Sequence, residues 1–321
     1  YSRLGDLYVE KQRFQDAATV YRGYSARYPT SDFAPELATQ AIEAYRRGGF
    51  AQLVLDGKRE FVERYGFKSP FWSGRDRARY ATVVAELKTN MKDVATDAHA
   101  TAQKSKRIED YQQAARWYRD YLESFPNDPD SAATNQLLAE ALFDSHQYAD
   151  ATVEFARTAY DYPRSDKSAG AAYAGLVAYQ KQEETLPAAA KGEWHAKSVE
   201  AGLKFAEAFP EHPDSAGVLT RAAQDIFAAH DLPRAIRVSE MLLARNPPVD
   251  APKQRIAWTI IGQSQFDLGA FDRAESAWLE ARNVAGGDPA MRTDLTERIA
   301  SAVYKQGEAK RAAGDGGEEF R

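Results

Sequence analysis

The stretch FQDAATVYRGYSARYP, Phe14–Pro29, decides the fold, because the chain repeats it as YQQAARWYRDYLESFP at Tyr111–Pro126. Both stretches place an aromatic residue, two alanines, two tyrosines and a closing aromatic-proline step at the same spacing. Less regular copies begin at Tyr148, Leu232 and Phe271. Recurrence of one supersecondary unit is the sequence signature of a repeat architecture.

The spacing of the copies predicts a repeat of two helices. The first alanine of the motif moves by 37 residues from Ala114 to Ala151, and by 39 residues from Ala235 to Ala274. Within one copy, small and aromatic residues recur at intervals of three and four, which places them on one face of an α-helix. The closing proline lacks an N–H group and ends that helix. No strand-like alternation competes with this pattern, so we predict an all-α chain.

Polar residues follow the prolines, as in Ser31-Asp32, Asp130-Ser131, Ser165-Asp166 and Asp214-Ser215. Serine and aspartate are favoured N-caps, because their side-chain oxygens accept hydrogen bonds from the free N–H groups of a first helical turn. We therefore expect these residues to cap the helices that follow. Gly48-Gly49 is interpreted as a helix C-terminal turn, because glycine reaches positive φ without strain.

The composition excludes several classes of protein. The chain has 321 residues, a net charge of −5 and no cysteine. A mildly acidic chain lacks the basic excess of a nucleic-acid-binding protein, so no nucleic-acid partner is expected. No apolar run is long enough to cross a bilayer, so no direct membrane insertion is expected. The absence of cysteine excludes disulfides and thiolate metal sites, and it fits an oxidising compartment.

The helices that precede the motif carry the other half of the unit. Tyr1, Leu4, Gly5 and Tyr8 in the first copy correspond to Trp258, Ile261, Gly262 and Gln265 in the last. With the alanine, aromatic and proline positions that follow, this order resembles the tetratricopeptide repeat signature. The resemblance implies a right-handed α-solenoid of about seven helix-turn-helix pairs plus a terminal helix, with a concave face formed by the first helix of each pair.

The same resemblance predicts one superhelical domain, 1–321. Its repeats are expected at 1–29, 30–70, 72–126, 131–163, 165–210, 214–247 and 251–285. A last helix is expected at 288–313, followed by a tail at 314–321.

The junctions after the closing prolines are similar to those of periplasmic repeat proteins of the BamD and CpoB type. Together with the absence of cysteine, this similarity predicts a Gram-negative periplasmic protein, with the cytoplasm as the alternative. The chain begins at Tyr1 without a methionine or a signal-like segment, so we expect a mature product or a fragment.

No catalytic, metal-binding or cofactor-binding motif emerges from the sequence. GGFAQLVLDGK lacks the spacing of a phosphate-binding loop. No two of the five histidines lie three to five residues apart, as a local metal-binding pair would. Trp72 and Trp194 fall outside the aromatic stripe and could be exposed anchors, but core packing is the favoured interpretation. We therefore predict a protein that is not an enzyme and needs no cofactor.

The resemblance assigns partner binding to the outward residues of the first helices. These residues lean acidic and amide-rich, although a merely solvated helix face would look similar. The candidate partner-binding residues are Asp6, Glu10, Glu43, Gln136, Glu140, Asp144, Gln224, Gln263 and Asp267.

Three functional hypotheses follow from this reading. The first is a scaffold in a Gram-negative cell envelope that binds a peptide or helix of a partner protein on its concave face. The second is a module that associates with itself through the ends of the solenoid, because solenoids need polar caps at both ends. The third is a substrate-binding arm of a larger envelope enzyme or secretion machine.

Overall fold

The chain is all-helical over residues 1–312, the part that this computed structural model describes. This range contains fifteen α-helices and two short 3₁₀ segments. The helices form seven successive pairs and one last helix, as the repeat pattern predicts. The tail expected at 314–321 lies outside the described residues.

The described residues divide into two compact units, 1–178 and 179–312. The single domain and the repeat boundaries expected from the sequence stay predictions.

The first unit contains helices α1 to α8 and most of α9. Each of α1 to α7 packs against the next helix in the chain. Their bounds are Ser2–Glu10 (α1), Phe14–Arg27 (α2), Ala34–Arg47 (α3), Ala51–Tyr65 (α4), Ala81–Ser105 (α5), Ile108–Ser124 (α6), Ser131–Asp144 (α7), Tyr148–Tyr160 (α8) and Ser168–Thr185 (α9). The 3₁₀ segments Pro70–Trp72 and Arg77–Tyr80 lie in the connection between α4 and α5.

The second unit contains the end of α9 and six further helices. From α10 onward, each helix packs against the next, and the first helices α11 and α13 also contact each other. The bounds are Ala188–Ala208 (α10), Ser215–Ala228 (α11), Leu232–Leu243 (α12), Ala251–Asp267 (α13), Phe271–Asn283 (α14) and Pro289–Ala312 (α15).

Small residues facing aromatic rings hold the helices of a pair together. An alanine Cβ built at Gly5 would lie 2.2 Å from Cε1 of Tyr21, and one built at Gly262 would lie 2.4 Å from Cδ1 of Trp278. The glycines of α1 and α13 therefore leave room for an aromatic ring of the second helix in their pairs. This contact is the physical reason for the Leu-Gly and aromatic positions of the repeat signature.

Six of the seven turns between paired helices share one backbone feature. A residue with positive φ precedes the second helix at Gln12 (56°), Gly49 (76°), Lys106 (58°), His146 (61°), His230 (61°) and Gly269 (80°). A left-handed residue just after a helix reverses the chain within a short turn. The interpretation of Gly48-Gly49 as a helix C-terminal turn is confirmed, with Gly49 as the left-handed residue.

The expected N-caps are wrong for α3, α7 and α11. Neither Asp130 nor Asp214 accepts a hydrogen bond from the first turn of α7 or α11. Instead, the buried Ser131 hydroxyl donates to the carbonyl oxygen of Phe125 at 2.8 Å. The serine therefore faces the open carbonyls at the end of the previous helix, because packing of the junction buries its side chain on that side.

Candidate partner-binding surface

Three of the candidate residues form a strip along α7. Gln136, Glu140 and Asp144 are spaced by four and share one face of the helix. The side-chain amide of Gln136 donates to Oε1 of Glu140 at 2.8 Å, and Asp144 is exposed. Gln136 and Glu140 are half-buried, so the strip is not a fully solvated helix face. We call these three residues the α7 strip.

A buried amide fixes α7 against α8. The Nδ2 atom of Asn135 donates to the carbonyl oxygen of Glu154 at 2.8 Å and to the hydroxyl of Thr158 at 2.9 Å. Both bonds join the two helices of the pair, and Asn135 has no exposed surface. The face opposite α8 is therefore fixed in its orientation, and the α7 strip does not need to reorganise to present its polar groups.

His99 of α5 lies in the electrostatic field of the α7 strip. It is only 4% exposed, and its Nδ1 atom is 3.1 Å from the hydroxyl oxygen of Tyr118. Burial lowers the pKa of His99, while the charges of Glu140 and Asp144 act in the opposite direction. The carboxylates of the strip therefore interact electrostatically with His99 on α5, the first helix of the preceding pair. The spacing of the sequence does not predict this interaction.

The candidates on α1 and α3 have different surroundings. The Tyr21 hydroxyl donates to Oδ1 of Asp6 at 2.7 Å, which joins α1 to α2. Burial, and then this bond to Asp6, raise the pKa of Tyr21. Glu10 is exposed, and Glu43 forms an ion pair with Arg46 on its own helix. Asp6 therefore already has a packing role through this hydrogen bond, although both carboxylates of α1 are exposed.

In the second unit, Gln263 is the centre of a hydrogen-bonded group. Its Nε2 atom donates to Asp267 at 2.8 Å, and its Oε1 atom accepts from Arg298 of α15, also at 2.8 Å. Gln224 is exposed on α11. The structure therefore joins Gln263 and Asp267 into one polar group, with Arg298 as a member that the sequence pattern does not identify.

A charged cluster around His195 is also absent from the sequence predictions. The Nδ1 atom of His195 is 3.2 Å from Glu183, and its Nε2 atom is 3.5 Å from Asp225. These residues belong to α10, α9 and α11, so one imidazole ring bridges two carboxylates on different helices. The sequence separates the three residues, and no local motif marks them.

Both tryptophans outside the aromatic stripe pack against the chain, as the favoured interpretation predicts. The indole N–H of Trp72 donates to the carbonyl oxygen of Tyr65 at 2.7 Å, and this side chain is buried. The indole N–H of Trp194 donates to the carbonyl oxygen of Tyr179 at 2.8 Å, and this side chain is half-buried. Neither one is an exposed anchor.

Residues 1–312 contain neither a metal-binding cluster nor a membrane-spanning helix. No group of three or more histidine, aspartate or glutamate side chains in this range is arranged to hold a metal ion. No helix in the same range combines the length and the apolar character needed to span a bilayer.

Among known proteins, the chain is similar only to solved structures, and not to a family profile or a curated sequence. No known family profile matches the chain, and no curated protein matches it. A tetratricopeptide repeat protein from Parabacteroides merdae is 13% identical, with 93% of this chain and 96% of that chain covered, at a TM-score of 0.28. Human IFIT1, described as a dimer with m7Gppp-AAAA, is 15% identical, with 99% of this chain and 87% of that chain covered, at a TM-score of 0.26.

A circular tandem repeat protein of novel repeat topology is 12% identical, with 98% of this chain and 78% of that chain covered, at a TM-score of 0.21. TM-scores this low do not establish a shared fold. The helical pairs described above rest on the contacts within this chain.

Proposed function

We propose that this protein is a non-enzymatic scaffold that binds an extended or helical segment of a partner protein on the first helices of its repeats. One observation carries the proposal: the α7 strip presents the carboxylates of Glu140 and Asp144 one turn apart, on a helix fixed by Asn135. A row of acceptors at helical spacing suits a segment that offers N–H groups or cationic side chains. The repeat resemblance supports the concave side as the location.

Charge reversal on α7 tests this proposal. The variant Glu140→Lys/Asp144→Lys replaces two hydrogen-bond acceptors with positive charges. These charges repel a cationic segment and cannot accept hydrogen bonds from N–H groups. We expect its affinity for the partner to fall by at least about tenfold, or about 1.4 kcal/mol. The partner is first obtained with the wild-type protein, by pull-down from the native host, and its binding segment is then used as a purified peptide.

The matched control reverses the same number of charges on the second helix of the same pair. Asp150 and Asp161 are exposed at the two ends of α8. Asp150→Lys/Asp161→Lys should bind like the wild type, and both variants should keep the helical circular dichroism spectrum. Unchanged affinity in the α7 variant would show that the binding face is assigned wrongly.

A second candidate function is self-association through α1. Leu4 and Leu7 are each 47% exposed on this helix, and Tyr1 beside them is 53% exposed. Exposed leucines on one helix are a surface that a second copy can cover. Sedimentation at increasing concentration should then show dimers or larger species that Leu4→Glu/Leu7→Glu abolishes. A strict monomer at high concentration would exclude this function.

The proposed location is the periplasm of a Gram-negative cell, in envelope assembly. The absence of cysteine and the similarity of the junctions to those of periplasmic repeat proteins support this location. Fractionation of the native host with an antibody against the chain tests it. Recovery with a cytoplasmic marker would contradict it.

A further inference from the structure

The first unit contains a cavity that shares no lining residue with the α7 strip. It has a volume of about 620 Å³ and lies among α4, α5, α6 and the connection that follows α4. Val62 and Met91 are the buried apolar part of its lining. Trp117 of α6 and Phe67 of the connection add two aromatic rings. We call this the α4–α6 cavity.

The repeat does not need the residues that give the cavity its character. Trp117 and Asp120 are three residues apart on α6, so their side chains share one face. In the copy at 14–29 the equivalent positions are Val20 and Gly23. No other copy has a tryptophan at this position, so the indole of α6 is specific to this copy, whereas a carboxylate recurs in the last copy as Glu280.

Two carboxylates in the cavity lack a cationic partner. No lysine, arginine or histidine nitrogen of the described residues lies within 4.0 Å of the carboxylate of Glu63 or Asp120. Both side chains are exposed at the mouth of the cavity. Partial desolvation, and then the charge of Glu123, raise the pKa of Asp120 against the smaller opposite effects of Lys68, Arg119 and Arg116. The ionised form of Asp120 is thus destabilised in the free protein, and an incoming cation would relieve this cost.

The two cations in the lining are already engaged. Lys68 pairs with Glu123 at 2.7 Å, and the guanidinium carbon of Arg77 lies 3.9 Å from the ring centre of Phe67. Trp117 has no cation over its half-buried ring among the described residues. The free groups are therefore an indole ring and two carboxylates, a combination that attracts cations through both the ring quadrupole and the negative charges.

We propose that the α4–α6 cavity is a second docking site, and that its occupant is an arginine-bearing segment of a partner protein. The guanidinium stacks on Trp117 and donates hydrogen bonds to Asp120 and Glu63. Arginine suits the site better than lysine, because its planar group stacks on aromatic rings and pairs with carboxylates at two points. The volume exceeds that of one side chain, so flanking residues of the segment share the cavity.

The test uses fluorine NMR on the whole chain labelled with 5-fluorotryptophan. The chain has five tryptophans, and the Trp117 signal is identified by its loss in Trp117→Phe. The probe is an acetylated, amidated heptapeptide that carries two arginines separated by one alanine. Its partner probe has citrulline in place of both arginines, which keeps the shape and removes the charge.

We expect the arginine peptide to shift the Trp117 signal with an affinity at least tenfold higher than that of the citrulline peptide. The isosteric variants Asp120→Asn and Glu63→Gln should each weaken this binding, Asp120→Asn by at least tenfold. Asp150→Asn, an exposed carboxylate of α8, should leave it unchanged. Glu140→Lys/Asp144→Lys should also leave it unchanged, so failure of the α7 strip and failure of this site are distinguishable.

Three results would overturn the proposal. The first is equal binding of the arginine and citrulline peptides, or no Trp117 shift with either. The second is unchanged affinity in Asp120→Asn. The third is that N-acetyl-arginine amide binds as tightly as the peptide, since the cavity would then be a small-molecule site and not a docking site for a protein segment.

Discussion

At the residue scale, the same small-to-large contact recurs in the first and last pairs of helices. Gly5 faces Tyr21, and Gly262 faces Trp278, whose side chain is almost completely buried. An added methyl group at either glycine would overlap the ring, and a packed interior has no free volume to accept it. Glycine is therefore required at these positions because the aromatic ring leaves no room for a Cβ atom, and not because the backbone needs a conformation that only glycine adopts.

The variant Gly262→Ala tests this dependence. An alanine Cβ would lie 2.4 Å from both Cδ1 and Nε1 of Trp278, so we expect a loss of about 1–3 kcal/mol from the free energy of unfolding. The control is Gly217→Ala on α11, where a Cβ meets no atom within 4 Å and helix propensity predicts a gain of up to about 1 kcal/mol. Urea titrations measure both. Equal effects of the two variants would contradict the account.

His99 makes the stability of the chain depend on pH. Burial lowers its pKa below the unfolded value of about 6.5. On acidification the unfolded chain therefore takes up the proton first, so the stabilisation is complete above about pH 6.5 and falls as the pH drops below this value. Between pH 7.5 and 5.5 the wild type should lose more stability than His99→Gln. Parallel curves for the two proteins in chemical unfolding would exclude this role.

At the element scale, Arg75 holds the connection between α4 and α5 in place through several hydrogen bonds. Two nitrogens of Arg75 donate to Asp32 at 3.2 and 2.8 Å, and Nη2 also donates to the carbonyl oxygen of Thr30 at 2.6 Å. The guanidinium also lies 4.5 Å from the ring centre of Phe71. These contacts fix an irregular segment against the junction after α2, and the same segment contributes Phe67 to the α4–α6 cavity.

Removal of this side chain should loosen the connection without unfolding the unit. In Arg75→Ala we expect faster hydrogen exchange across residues 66–80, since the opening of a segment depends on the contacts that hold it. Arg79→Ala is the control, because Arg79 is exposed in the same segment. Exchange rates that match in both variants would show that Arg75 does not hold the segment.

At the scale of the whole molecule, the repeated sequence pattern predicts the helices. It does not predict the side-chain clusters, because these join residues from different helices. The spacing of alanines, aromatics and prolines in stretches such as Phe14–Pro29 predicts the helical pairs, because helix faces and helix ends are local properties. The approach of Glu183 to His195 and Asp225 depends on how three helices pack. No period in the sequence contains that information.

The wrong N-caps have the same cause. Asp130 and Ser131 have the composition of a cap, but packing of the junction directs the Ser131 hydroxyl to the carbonyl oxygen of Phe125. The α4–α6 cavity likewise joins Glu63, Phe67 and Trp117 from separate elements. The sequence pattern predicts no role for Trp117, because its one distinguishing sign is that the first copy has a valine at this position.

Carboxyl footprinting tests the central claim most directly, namely that partner binding occurs on the first helices. The purified protein is labelled with a carbodiimide and an amine, with and without the partner segment, and each carboxylate is quantified by mass spectrometry. Asp144 of α7 and Asp150 of α8 are both exposed in the free chain. The account predicts that the partner reduces labelling of Asp144 and leaves Asp150 unchanged. Protection of Asp150 with unchanged labelling of Asp144 would contradict it.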